Sequence, residues 1–367
     1  MKKIIILIII TLTTVLLLTG CWDSIEINDR EYLIAIGIDK IGDTLRFTAE
    51  IPKINEGDEQ ERLVFSEESE NFSNFYRSSF LRSDKVISDR LMQIIVIGEE
   101  AAKDPDTVKK IFDEIQRSPE MNRRVKVAIA KGEAEKIINT EIPNNPVVGR
   151  FMSDMLVKLK RQGYQDIFTF DEAILHLGQV GNVMVPVVEQ NEDSLKINSA
   201  AIVKDYKLVG FLNNEELEII MLLLDPLSSN LQNINIEVDN KPVSLGAVNV
   251  SMTDNIKLEN EKLTADYYIT LYCYIESYIL GDTNLGNQNY LAKIRQEGIK
   301  NVSDNTTKTI DKLQDIYKTD LLRLKDKLYK HHRSEYEKIS DKYDDIFAEA
   351  NINVHYNMQI KSIGLVK

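Results

Sequence analysis

The sequence predicts a mixed α+β fold, and three observations carry that reading. Short buried strand patterns at Leu33–Ile38 and Gln93–Gly98 are separated by stretches of helical period. A long helical pattern runs from Asn289 to about Tyr329. The chain then closes on an alternating segment, Ile352 to Ile360. The 367 residues, 43% hydrophobic and 28% charged, are enough for two or three domains with a sizeable core. Acidic residues number 58 against 45 basic, giving a net charge of −13. No concentrated basic block stands out, which argues against nucleic acid and gives no broad attraction to anionic lipid.

The first element is a leader. Lys2 and Lys3 precede an apolar run, Ile4 to Leu18, broken only by threonines. A membrane span needs roughly 20 apolar residues, so this run has the length of a secretory signal peptide rather than of a permanent anchor. It ends in Leu18-Thr19-Gly20-Cys21, which resembles the bacterial lipobox. That resemblance implies a diacylglyceryl group on the Cys21 sulfur and cleavage just before Cys21, so that residues 1–20 are removed. The rival readings are an uncleaved signal anchor, disfavoured by the short run, and a core cysteine, disfavoured by its place at the water edge of that run. With Cys21 lipidated, Cys273 has no partner for an internal disulfide. Past Leu18 the longest apolar run, Leu217 to Leu224, is interrupted by Glu218 and stops at Asp225-Pro226.

In the mature chain, Leu33–Ile38 reads as a buried strand, turned at Gly42-Asp43 into a partner whose Leu45, Phe47, Ala49 and Ile51 share one face. Arg46, Thr48 and Glu50 lie on the other. Pro52 to Ser69 reads as an exposed connection with a short strand at Leu63-Val64-Phe65. Helices are expected at Asn71–Leu81 and Asp106–Arg117, the latter burying Val108, Ile111, Phe112 and Ile115. Between Arg124 and Lys131, Val125, Val127 and Ile129 alternate inward. After a proline break at Ile142–Pro146, helices are expected at Gly149–Arg161 and Phe170–Leu177, then an extended segment at Gly181–Val188. Glu189–Ser194 is polar and reads as the best linker. A hairpin turns at Lys204–Tyr206, and Asn213 or Asn214 caps the helix Glu215–Leu224. Strands follow at Ile234–Val238, Val243–Met252 and Asp266–Ser277. The last is apolar on both faces and so is expected to be central or covered on both sides.

Gly20-Cys21-Trp22-Asp23, Glu26-Ile27-Asn28-Asp29 and Gly37-Ile38-Asp39-Lys40, in that order and spacing, resemble the opening of the Ger(x)C family. These are lipoprotein C subunits of bacterial spore nutrient-germinant receptors. Ile97-Gly98-Glu99, Arg117-Ser118-Pro119-Glu120 and Gly132-Glu133-Ala134 continue the resemblance. Ala201-Ile202-Val203 and Leu208-Val209-Gly210 before Glu215-Glu216 extend it, and Ile363-Gly364 closes it. Tyr336 and Tyr343 stand near positions where the family carries tryptophan. The resemblance implies three mixed α/β domains, placed here at 21–190, 195–240 and 241–367, the last with a long helix packed on an antiparallel sheet. It also implies a lipid anchor on the outer face of the spore inner membrane, assembly with integral-membrane A and transporter-like B subunits, no catalysis and no cofactor. Whether this subunit touches the nutrient is left open.

The residues offer no competing chemistry. His176, His331, His332 and His355 form no zinc-ligand spacing, and the Gly178–Gly181 segment lacks the Lys-Ser/Thr of a phosphate loop. No nucleophile elbow is present, so neither metal nor catalytic residues are expected. The tyrosines between Tyr267 and Tyr278 could line a groove, but packing against the long helix accounts for them equally. The alternative class is a lipoprotein solute-binding protein of a transport system. Such proteins have two lobes of repeated βαβ units, which the C-terminal order of strand, strand, long helix, strand fits poorly.

Overall fold

The computed structural model describes residues 3–6, 26, 29–54, 60–79, 81, 83–118, 120–161, 163, 169–192, 194–226, 234–278 and 287–362. A short strand β1 (Arg30–Tyr32) leads into the hairpin of β2 (Ala35–Ile41) and β3 (Thr44–Ile54). Gly42 supplies the positive φ, 59°, that so tight a turn requires. The connection expected after Pro52 is instead a ten-residue strand, β4 (Gln60–Ser69), paired along β3. As an edge strand it tolerates Glu61, Glu67 and Glu68, the charges that make its sequence look like a loop.

Helix α1 (Phe72–Ser79) and strands β5 (Val86–Ser88) and β6 (Ile94–Ile97) come next, then α2 (Glu99–Lys103) and α3 (Pro105–Arg117). Asp104 caps α3 and Pro105 starts it, and Val108, Ile111, Phe112 and Ile115 are buried as their spacing predicts. Four such side chains contribute about 1.5–3 kcal/mol each, enough to hold the helix on the sheet. Strand β7 (Lys126–Ala130), helices α4 (Ala134–Asn139), α5 (Val148–Arg161) and α6 (Phe170–Gln179), and strand β8 (Asn182–Asn191) complete this run.

Polar residues 189–194 form no linker. β8 folds back on β9 (Ser194–Lys204) with Asn191 opposite Ser194, and β10 (Lys207–Leu212) pairs in turn with β9. Hairpin ends and linkers share a polar composition, so the sequence does not separate them. The result is one eight-stranded sheet, β10-β9-β8-β7-β6-β2-β3-β4, whose central β8, β7, β6 and β2 are parallel and whose flanks are antiparallel. α1, α2, α3 and α6 cover one face, with Phe75, Ile111, Phe112 and Phe170 in its core. α4 and α5 cover the other, with Ile137, Ile138, Met152 and Leu156.

Asn213 caps α7 (Asn214–Leu224) through a reciprocal box with Glu216. Strands β11 (Ile234–Val238), β12 (Lys241–Glu259) and β13 (Lys262–Tyr278) form an antiparallel meander, so the residues assigned from sequence to a middle unit, 195–240, are divided between the two large sheets. α8 (Gln288–Asp311) continues through one π-helical turn, Lys312–Tyr317, and the chain breaks at Lys318, whose φ is 44°. After α9 (Leu324–His331), α10 (Arg333–Tyr336) and α11 (Tyr343–Ala348), strand β14 (Asn351–Ser362) joins β13. It joins in parallel, because the long helical crossover carries the chain back to the end of the sheet where β13 begins. β13 is central, as expected. Tyr267, Ile269, Leu271 and Cys273 are buried on one face, whereas Tyr268 on the other is 53% exposed. Met184, Ala200, Ile202 and Leu212 of the eight-stranded sheet share one core with α7, α8 and the four-stranded sheet.

Candidate functional site

Cys21, the one residue to which the sequence assigns a chemistry, lies outside the described residues, as does Trp22. Among the described residues, the chain that follows Cys21 first joins the body's strands at β1. β1 pairs in parallel with β5, Arg30 opposite Val86, and the Leu33 amide donates to the Ser88 carbonyl at 2.9 Å. Nine residues after Cys21 the backbone is already part of the body.

The motif segments that stand apart in the sequence meet at the carboxyl ends of the parallel strands. Asp39, at the end of β2, is buried. Its Oδ1 accepts the Ala134 amide at 2.7 Å and its Oδ2 the Glu135 amide at 2.8 Å, holding the first turn of α4. Burial pushes the Asp39 carboxyl above its ordinary range, against the pull of those two donors. A Cβ on Gly98 would overlap Asp39 Oδ1, and one on Gly37 would meet Ala134 Cβ at 3.1 Å. The Glu99 amide donates to the Gly132 carbonyl at 2.8 Å, and the Gly132 amide to Glu99 Oε2 at 3.2 Å. Lys40 pairs with Asp104, whose carboxyl this ion pair and Thr107 lower to about 2. Both oxygens of Asp39 are occupied by backbone donors, so the arrangement is a clamp rather than a reaction centre.

A second clamp lies on the same face. The sequence puts Thr48 and Glu50 on the polar side of β3, yet both are buried beneath α4 and α5. Glu50 accepts the amides of Val148 at 2.7 Å and Gly149 at 2.6 Å, at the start of α5, and Arg62 bonds it at 2.8 Å. Arg62 also reaches the carbonyls of Ile138 at 2.7 Å and Thr140 at 2.8 Å.

Where the two large sheets meet, Lys312 bonds Glu216 at 2.8 Å and the Phe211 carbonyl at 3.1 Å. A Cβ on Gly210 would fall within the Tyr317 ring. Lys204 reaches Asp344 at 2.5 Å and Lys325 the Val180 carbonyl at 3.2 Å, across a polar cleft of about 400 Å³. These contacts join residues from 96 to 145 positions apart, a distance at which no local sequence signal operates.

His331 and His332 close α9 next to each other. Exposed His355 stacks on Tyr268 at 4.9 Å, and His176 lies on α6. Among the described residues no group of three or more His, Cys, Asp or Glu is placed to hold a metal ion. Cys273 is buried, which pushes its thiol up to about 12. Tyr343 donates to buried Asp320 at 2.6 Å, which gives its hydroxyl a partner inside the core. The exposed tyrosine ring of β13 faces away from the core that the long helix shares.

Two family models match the chain consecutively. The first, described as the spore germination protein N-terminal domain, covers residues 23–190; the second, spore germination B3/GerAC like, C-terminal, covers residues 198–364. The chain belongs to the Ger(x)C family of spore germination proteins. Within that family it is 26% identical to spore germination protein A3 of Bacillus subtilis (strain 168) over 367 residues, 95% of each chain. It is 21% identical to spore germination protein B3 of the same organism over 369 residues, 96% of each. The match to the putative spore germination protein YfkR, also from B. subtilis, is 24% over 245 residues and spans 62% of that protein. The Ger(x)C fold is seen in the crystal structure of the GerBC protein, which superposes with a TM-score of 0.60 at 18% identity, over 89% of this chain and 96% of that one.

Proposed function

We propose that this Ger(x)C protein is the lipid-anchored subunit of a spore nutrient-germinant receptor. In this reading Cys21 carries the acyl chains on the outer face of the spore inner membrane, and the body assembles with integral-membrane A and transporter-like B subunits. One observation carries the proposal: the family match runs along nearly the whole chain and begins at residue 23, two residues after the lipobox cysteine. The geometry agrees with a binding rather than a catalytic role. Two of the four buried carboxylates among the described residues, Asp39 and Glu50, are each spent on helix amides. No helix among the described residues is long and apolar enough to cross a membrane, which gives the anchor a purpose.

Cys21→Ala tests the reading. Spores carrying it are expected to lose the protein from the inner-membrane fraction and to respond poorly to the nutrient. Normal membrane retention with normal germination would remove lipid anchoring from the account.

A further inference from the structure

We propose that the end of the eight-stranded body bearing Leu81 rests on an anionic lipid surface, the one to which Cys21 ties the chain. The inference rests on the lipid-anchor reading and adds to it the face of the body that meets the bilayer.

Reach is the first argument. An extended chain spans at most about 3.3–3.6 Å per residue, so Arg30 lies within about 30 Å of Cys21. Arg30 is held in place by its register opposite Val86, at the start of β5. Glu31 is tied to the segment just before that strand, its Oε2 accepting Ser83 Oγ at 3.0 Å. The tether therefore enters beside residues 81–85, and this end of the body stays within a tether's length of the lipid whatever else is bound.

Exposure and charge are the second. Leu81 is 88% exposed, the most of any large apolar side chain among the described residues. Phe72, Phe75 and Ser79 of α1 are buried, and the Leu81 amide returns to the Ser78 carbonyl at 3.0 Å, a turn that holds the leucine beyond the helix end. Arg77 and Lys85 are exposed before and after it in the chain, with Asp84 exposed between them and Glu26 and Asp29 exposed on the incoming segment. An apolar side chain between cations suits a headgroup boundary, where the leucine enters the acyl edge and the cations meet lipid phosphates. The rest of the acidic body has no such attraction, so contact is confined to this end.

The test uses the lipidated mature chain in vesicles of phosphatidylglycerol and phosphatidylethanolamine that carry nitroxide-labelled lipid. Leu81→Cys accepts an environment-sensitive dye, because Cys273 is fully buried and Cys21 is acylated. A second protein carries the dye at Ile316→Cys, 69% exposed on the π-helical turn. Dye at position 81 is expected to be quenched several-fold more than dye at 316, and Arg77→Gln with Lys85→Gln should narrow the difference. Protein that floats with the vesicles while both dyes remain equally unquenched overturns the proposed face and leaves the anchor standing. It would also point to a protein partner for Leu81. Protein that does not float overturns anchor and face together.

Discussion

Asp39 shows what a single buried charge does in this body. Two amides of α4 depend on it, and Asp39→Ala would leave the buried Ala134 amide without an acceptor, a cost of about 1–3 kcal/mol, and the half-buried Glu135 amide without its carboxylate. Gly98 exists to let that carboxylate in, since any side chain there would occupy the position of Oδ1. Gly98→Ala is therefore expected to destabilise the wild-type body and to cost much less once Asp39→Ala has cleared the space. Urea unfolding of the four proteins measures the coupling, and strictly additive losses would show that glycine and carboxylate act independently. The sequence already singles out Gly37-Ile38-Asp39-Lys40, Gly98-Glu99 and Gly132-Glu133-Ala134. Their meeting is not legible there, because parallel pairing brings together residues as far apart as Asp39 and Ala134. Glu50 teaches the same lesson. Alternation along β3 says which residues oppose the apolar face, but not that α4 and α5 will cover them too.

Among the elements, those with strong local signals were legible. The period of α3, the asparagine cap that starts α7 and the alternation of β14 each place the element within a few residues. The misreadings occur where a local signal is shared by two structures. β4 carries loop-like charge because it is an edge. The helical period from Ile310 to Leu328 continues through the break at Lys318 because neither glycine nor proline marks it. α7 permits an element-scale prediction. Its Leu217, Ile219, Ile220, Leu222 and Leu223 are buried, and Glu218 is the one ionisable group among them. Burial raises its carboxyl from 4.5 to about 7, although Asn214 donates to it at 2.7 Å. A carboxyl raised on folding binds its proton more tightly in the folded state. Its contribution is complete below pH 4.5 and is lost as pH rises towards about 7. Glu218→Gln keeps the Asn214 bond without the charge. It should stabilise the protein at pH 8 by up to about 3 kcal/mol and flatten the stability profile between the two values. Thermal melts at pH 5 and 8 check this, and an unchanged difference between wild type and variant at the two pH values would refute it.

At the scale of the whole molecule, sequence units and structural units divide at different places. The family models divide between residues 190 and 198, which is also where a polar linker is expected from composition. The sheet divides after β10 instead, because β9 and β10 complete the edge beyond β8. Even that division is incomplete, for Met184, Ala200, Ile202 and Leu212 pack into the same core as Leu271 and Ile310. A fragment of residues 21–190 would end within β8, leaving nine of its ten residues with their outer hydrogen-bonding groups unpaired. It would also uncover Val183, Val185 and Val187, which pack with Ala201 and Val203 of β9 in the intact body. An exposed apolar edge of that length templates association. The fragment is expected to elute from size-exclusion chromatography as aggregate, whereas the chain from residue 21 to 367 elutes as a defined species. A monomeric, cooperatively unfolding 21–190 fragment would show that β8 needs no partner beyond β7 and that the sequence boundary is also a folding boundary. If the fragment aggregates as the pairing requires, residues 194–212 must be counted with the N-terminal body. The N-terminal body and the C-terminal sheet would then be coupled through one continuous core.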